Sequence, residues 1–273
     1  MKTNKLGLLT LLMIALIGFS CTTSQKSEGE ADESGEAMEA ESDITLSKAP
    51  PSPEFPLANL IKRGDAAVTS TDSSFVVNYT FDVQEYDLGE PTEDYETRGI
   101  ANSAKGQHIH FIVNNGPYSA HYMNSLNTEI DAGNYVVLAF LSRSYHESVK
   151  SPDAFHIENL VVGDVEPDSA DLTAPHLFYS RPKGTYVGAD TKKVMLDFYL
   201  LNTSLSADGN KVRATINGNE FMIDEWAPYY IEGLPMGRNE IKLELIDAEE
   251  NLIPGPFNSV ERAITLEEAP EEM

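Results

Sequence analysis

Six histidines occur in the 273 residues, and five of them fall in one stretch: His108, His110, His121, His146 and His156. A neutral imidazole is a metal ligand, and three or four imidazoles meeting at one place suit a late first-row ion such as zinc or copper. Met123 lies two residues beyond His121. A thioether added to imidazoles shifts the preference toward copper(I).

Whether these side chains meet depends on the strands that carry them. Asn115-Gly116 stands between two alternating runs and is a two-residue hairpin signal. With that turn, Asn114 faces Pro117, His110 faces His121 and His108 faces Met123. Side chains alternate along a strand, so those four point to one face while Ile109, Phe111 and Val113 take the core. A slip of one residue would separate His110 from His121. The strand Tyr135 to Leu141 is expected to flank the His108 strand antiparallel and to end near its start, which brings His146 within reach of His108. His156 follows later and is left out. The candidate ligands are therefore His108, His110, His121, His146 and Met123, for copper or zinc.

The chain contains its own comparison. Gly106 to His121 lies over Gly209 to Glu225, Asp131 to Leu141 over Pro235 to Leu245, and Ser74 to Val83 over Lys193 to Asn202, with offsets of 103 to 104 from the hairpin onward. The positions matching His108, His110, His121 and His146 are Lys211, Arg213, Glu225 and Glu250, ordinary residues for a solvated sheet face. A requirement of the fold alone would have been met in both copies. The same alternation points Val136, Leu138 and Phe140 outward beside the histidines, against Glu240, Lys242 and Glu244 in the second copy. An apolar strip of that size is covered or used. The acidic insertion Gln84 to Lys105 is the nearest cover, as a fixed flap or a mobile lid.

Short alternating runs broken by Asn-Gly, Asp-Gly and Gly-Asn turns, with no long helical period, predict an all-β chain. About 100 residues per copy predicts two tandem immunoglobulin-like β-sandwiches. Residues 51–165 form the first, with the insertion at 84–105, and 174–267 the second. Asp131-Ala132-Gly133-Asn134-Tyr135 matches the tyrosine corner of such sandwiches, and Asn239 stands where the second copy would have its tyrosine. Trp226, Tyr229 and Tyr230 form an aromatic cluster whose commoner role is core packing rather than sugar stacking.

The remaining segments give an address. Lys2 and Lys5 precede an uncharged run, Leu6 to Phe19, too short for a membrane span of roughly 20 residues but suited to a signal peptide. Gly18-Phe19-Ser20-Cys21 resembles the lipobox of bacterial lipoproteins. The resemblance implies removal of residues 1–20 and an N-terminal lipid on Cys21, which takes away the only thiol and with it disulfides, thiolate catalysis and His₂Cys copper sites. Residues 21–50 read as a disordered acidic tether, with eight acidic residues between Cys21 and Lys48, and 268–273 as a disordered tail. The chain carries 44 acidic against 19 basic residues, a formal charge of −25. That charge excludes nucleic acid as a partner. The implied location is the cell envelope, anchored to the outer membrane at its periplasmic side or at the cell surface.

The run Gln107 to Val162, with HIHFIVN, HYMN and the loop SRSYHESVKSPDAF, resembles a family of small histidine-rich periplasmic domains of uncharacterised function. On matching positions the resemblance points to His108, His110, His121 and His146; the chain departs from that pattern at Tyr135 and in the later loop. No nucleophile motif, phosphate loop, dinucleotide fingerprint or zincin helix occurs, so the expected role is a binding module for a metal or small ligand rather than an enzyme. The alternative is an adhesion, protein-interaction or structural lipoprotein without metal. Similar two-domain lipoproteins are sometimes labelled phosphopeptide-binding, which the negative charge argues against.

Overall fold

The computed structural model describes residues 44–270. The expected signal peptide, Cys21, most of the expected tether and the last three residues lie outside the described residues. Among those described, no helix is long and apolar enough to cross a membrane.

The chain enters through β1 (Thr45–Lys48), followed by β2 (Asn59–Lys62), β3 (Ala67–Ser70) and β4 (Phe75–Gln84). Next come a one-turn helix α1 (Tyr95–Arg98), β5 (His108–Val113), β6 (Ser119–His121), β7 (Ser125–Ile130), β8 (Gly133–Ser142) and β9 (Phe155–Val162). The second half holds β10 (His176–Arg181), β11 (Gly184–Val187), β12 (Lys193–Leu201), β13 (Lys211–Ile216), β14 (Asn219–Ile223), β15 (Tyr229–Glu232), β16 (Gly237–Ile246) and β17 (Ser259–Glu267).

Two sandwiches result. In the first, β2 and β3 lie along one side of β4 with β7 on the other, and this sheet faces the sheet β6-β5-β8-β9. Val77, Tyr79 and Phe81 from β4 meet Ile109 and Phe111 from β5 and Val137, Ala139 and Leu141 from β8. In the second, β1-β15-β12-β10 faces β11-β17-β16-β13-β14.

The two halves repeat each other in detail. Asn114 accepts the amide of Val136 at 2.7 Å, and Asn217 accepts that of Glu240 at 2.8 Å. The bridge Ser142–Ser148 matches Ile246–Leu252, and His146 and Glu250 share left-handed backbones at φ 70° and 65°. The Tyr135 hydroxyl donates to Asp131 O at 3.1 Å, closing the expected corner. Asn239 keeps the same four-residue reach, its amide donating to Pro235 O at 2.9 Å.

The fold begins within the segment expected to be tether. Residues 45–48 pair antiparallel with β15, and Ile44 and Leu46 pack against the second core. The exposed edge of β15 offers unpaired backbone groups, and an alternating Ile-Thr-Leu run covers it. The chain thus joins the second sandwich before it builds the first. Tyr229 and Tyr230 are buried in β15, and the Trp226 indole donates to Phe198 O at 2.9 Å. This cluster is core.

The apolar strip is covered by neither of the expected lids. Val136, Leu138 and Phe140 pack with Ile112 and Tyr118 against Phe178, Tyr199, Leu201 and Phe257 of the second sandwich. Each such side chain contributes about 1.5–3 kcal/mol relative to leaving it in water. The sheet β6-β5-β8-β9 is therefore buried on both faces, as are β10 and β12, whose HLFYSR and KVMLDFYLL run without polar alternation.

The insertion is a fixed flap with a different task. Thr92 and Ser144 exchange hydrogen bonds at 3.1 and 2.9 Å, and the Ser103 amide donates to Ser144 O at 2.8 Å. Arg98 reaches Pro50 O and Pro51 O. It braces the loop that carries His146. At its end Gly106 has φ +82°, and a Cβ there would meet Gly89 O at 2.3 Å, so only glycine fits.

Candidate metal centre

The hairpin turn sets which histidines meet. Asn114 and Asn115 both adopt left-handed backbones, φ 47° and 53°, and the Gly116 amide closes the turn on Val113 O at 2.8 Å. The turn is Asn114-Asn115, one residue earlier than Asn115-Gly116. Beyond it the ladder pairs Ile109 with His121, His110 with Ala120 and Phe111 with Ser119. The extra residue falls between Gly116 and Tyr118, where Pro117 has no amide to give the ladder. The expected pairing of His110 with His121 is corrected, and with it two ligands.

His121 moves to the side of Ile109 and Phe111, its ring edge-on to Phe111 and its Nε2 2.7 Å from Ser119 Oγ. Met123 is 68 % exposed in the following loop. Neither joins the cluster. His156 sits on β9 beside Glu158.

Three histidines do converge. The ligand atoms of His108, His110 and His146 all lie within 4.8 Å of one another. His108 Nε2 is 3.0 Å from His146 Nδ1, and His110 Nε2 is 3.4 Å from the same atom. Metal–nitrogen bonds of about 2.0–2.1 Å place neighbouring nitrogens about 3.3 Å apart in a tetrahedral set. His108 and His110 come from alternate positions of β5. His146 comes from the turn after β8, where its amide donates to Arg143 O at 2.8 Å. Histidine is among the residues that tolerate a left-handed backbone. Glu250 shows the same turn without a neighbouring histidine, so the imidazole is mounted on geometry the fold already has.

The outward nitrogens of His108 and His110 are fixed. His108 Nδ1–H donates to Gly106 O at 2.8 Å, leaving Nε2 with its lone pair inward. His110 Nδ1 lies 3.2 Å from Ser180 Oγ, on the second sandwich. A partner on the far nitrogen sets tautomer and ring orientation for a metal-binding histidine. Ser180→Ala is expected to weaken metal affinity about 10–100-fold, read by competition with a chelator, while leaving the fold intact.

Burial holds all three imidazoles neutral. It depresses His108 to about 4, with Arg181 adding to the effect, and lowers His110 and His146 well below the ordinary histidine value. Neutral imidazole is the ligating form. Around them, Tyr118 stacks on His110 with centroids 3.6 Å apart and planes 13° from parallel. Its hydroxyl is 3.2 Å from His146 Nδ1 and accepts from Arg181 Nη1 at 2.9 Å. Ser142 Oγ stands 3.3 Å from His110 Nε2. Tyr118, Ser180 and Arg181 escaped the reading of the sequence because two of them lie about 70 residues away on the other sandwich. The signal was the absence of polar alternation through Leu177-Phe178-Tyr179 of β10 and Phe198 to Leu201 of β12, the mark of strands buried on both faces.

No protein-family model matches the chain, and no curated protein matches it. Solved structures give loose overlaps. The fibronectin(III)-like modules of CbhA from Clostridium thermocellum are 12 % identical, over 77 % of this chain and 97 % of that one, with a TM-score of 0.28. The two tandem V-type regions of VCBP3, a chitin binding protein, are 7 % identical over 82 % and 99 %, with a TM-score of 0.21. A Ca²⁺-stabilised, ice-binding adhesin of an Antarctic bacterium is 11 % identical over 81 % and 50 %, TM-score 0.21. The sandwich assignment rests on the strand pairing above.

Proposed function

We propose that this protein is a non-catalytic metal-binding module of the bacterial cell envelope, held by lipid on Cys21, which binds one copper or zinc ion through His108, His110 and His146. The observation that carries the reading is the convergence of three imidazole nitrogens, with the far nitrogens of His108 and His110 held by Gly106 O and Ser180 Oγ. His108 and His110 are fully buried. That supports binding over turnover, because it leaves a substrate no approach to them. The lipobox, which lies outside the described residues, supports the envelope location.

The test is a titration of the metal-free protein with Zn(II), and with Cu(I) under anaerobic conditions, followed by desalting and elemental analysis. One ion per chain is expected. Replacing His108, His110 or His146 by Ala is expected to weaken binding by more than the roughly 100-fold that loss of an outer partner can cost. His121→Ala and Met123→Ala are expected to leave it unchanged. Wild-type protein that holds no more metal than a variant with His108, His110 and His146 all replaced by Ala would remove the proposal.

A further inference from the structure

The surroundings of the three imidazoles carry more information than the imidazoles themselves. Imidazole suits zinc and copper alike, so the choice falls to charge and to coordination number. The group contains no carboxylate. The two buried carboxylates nearby are already committed. Asp197 accepts from Lys150 Nζ at 2.8 Å and from the amide and hydroxyl of Ser148 at 3.0 Å. Glu147 is paired with Arg143 at 3.1 Å and accepts from Ser52 at 2.6 Å.

What the site does have beside it is positive. Arg181 is 6 % exposed and its Nη1 donates to the Tyr118 hydroxyl, which in turn lies 3.2 Å from His146 Nδ1. Lys183 donates to Tyr118 O, with its Nζ 3.9 Å from that ring's centroid. Desolvating an ion costs energy in proportion to the square of its charge, and repulsion from fixed cations is proportional to the charge itself. A dication meets both penalties with no anionic ligand to offset them.

Geometry removes the obvious remedy, an anionic oxygen from Tyr118. A metal on His110 Nε2 lies in the plane of that imidazole. The Tyr118 ring is stacked nearly parallel to this plane with its centroid 3.6 Å from that of His110. Its oxygen is thereby kept off the plane by more than a metal–oxygen bond of about 2.0–2.2 Å. Three neutral nitrogens without a fourth protein ligand suit a three-coordinate monocation. Zinc on three histidines takes a water as its fourth ligand, which like the imidazoles brings no negative charge.

We infer that the site is selective for copper(I) over zinc(II), its donor set being three neutral imidazoles with the cations Arg181 and Lys183 beside them at Tyr118. This rests on the metal-binding reading above and narrows it. Met123 has no part in the preference.

The experiment measures both affinities by competition with chromophoric chelators, Cu(I) anaerobically, in wild-type protein and in Lys183→Met. Lys183 is used because it is only partly buried, whereas loss of Arg181 endangers the fold. Copper(I) is expected to bind at least about 1,000-fold more tightly than zinc. Removing one fixed positive charge favours a dication by the square of the factor by which it favours a monocation, so Lys183→Met is expected to tighten zinc about 10-fold and copper(I) about 3-fold. Zinc bound as tightly as copper(I), or two affinities shifted by equal factors, would overturn the selectivity and leave the metal site standing. Failure of both ions to bind would overturn both.

Discussion

Asn115→Ala is expected to destabilise the folded protein by about 3–5 kcal/mol and to loosen one sandwich from the other. Few side chains in the molecule hold so many backbone groups. The Asn115 amide donates to Leu177 O and Phe257 O, each at 3.0 Å, and its carbonyl accepts from the Tyr179 amide at 2.8 Å. The residue is 7 % exposed, and its own backbone carbonyl accepts from Arg262. Alanine leaves three buried backbone groups without partners, each costing about 1–3 kcal/mol, and must still adopt the left-handed backbone. Chemical denaturation reads the stability. Small-angle scattering reads the docking, and an expanded profile is expected for the variant. Asn115→Asp is expected to fare no better, because a carboxylate presented to two carbonyl oxygens repels where the amide donates. A variant as stable and as compact as wild type would show that the apolar contact around Phe140 and Phe178 suffices without this clamp.

The metal-free protein is expected to lose stability steeply as the pH falls from 6.5 toward 4. Above 6.5 neither the folded nor the unfolded chain protonates these imidazoles, and they add no pH dependence. Below it the unfolded chain takes up protons at the ordinary histidine value near 6.5. The folded protein refuses them, since burial depresses His108 to about 4 and lowers His110 and His146 well below the ordinary value. With more protons bound to the unfolded state, stability falls with pH by up to about 1.4 kcal/mol per pH unit for each histidine. For His108 the loss is complete near pH 4 and amounts to about 3 kcal/mol. Glu158, held near 2 by His156 and Lys62 against the penalty of burial, begins to count only below its ordinary value near 4.5. The window from 7.5 to 5 therefore isolates the histidines. Thermal midpoints of chelator-treated protein across that window are expected to drop, and His146→Gln to drop less. A flat profile would mean that the imidazoles are exposed to water and not enclosed.

Much of this architecture was legible in the residues, and the failures have definite causes. The repeat, the alternating strands and the corner at Tyr135 follow from spacing that each copy satisfies independently. His108, His110 and His146 could be placed because two are on one strand at a separation of two and the third follows the neighbouring strand. His121 could not, because the turn at Asn114-Asn115 moves the register by two residues and leaves the faces unchanged, while the extra residue at Pro117 moves it back by one and turns His121 to the other face. Asn115, which fixes the turn, is held from Leu177, Tyr179 and Phe257, more than 60 residues away. The cover of Val136, Leu138 and Phe140 was missed for the same reason. The outward residues of β10 and β12, Phe178, Tyr199 and Leu201, are the complementary strip, but composition does not say which apolar faces meet. Strand β1 was missed because four residues following an acidic run have no period of their own; the edge of β15 gives them one.

X-ray absorption at the metal edge of the copper-loaded protein tests the central claim most directly, since it reports the ligands of the bound ion whatever the protein's role. The predicted spectrum has about three nitrogen neighbours near 2.0 Å with the outer-shell scattering of imidazole and no sulfur, and the imidazole contribution falls when His146 is replaced by Ala. A sulfur neighbour, an all-oxygen shell, or a spectrum unchanged in a variant lacking His108, His110 and His146 would contradict it.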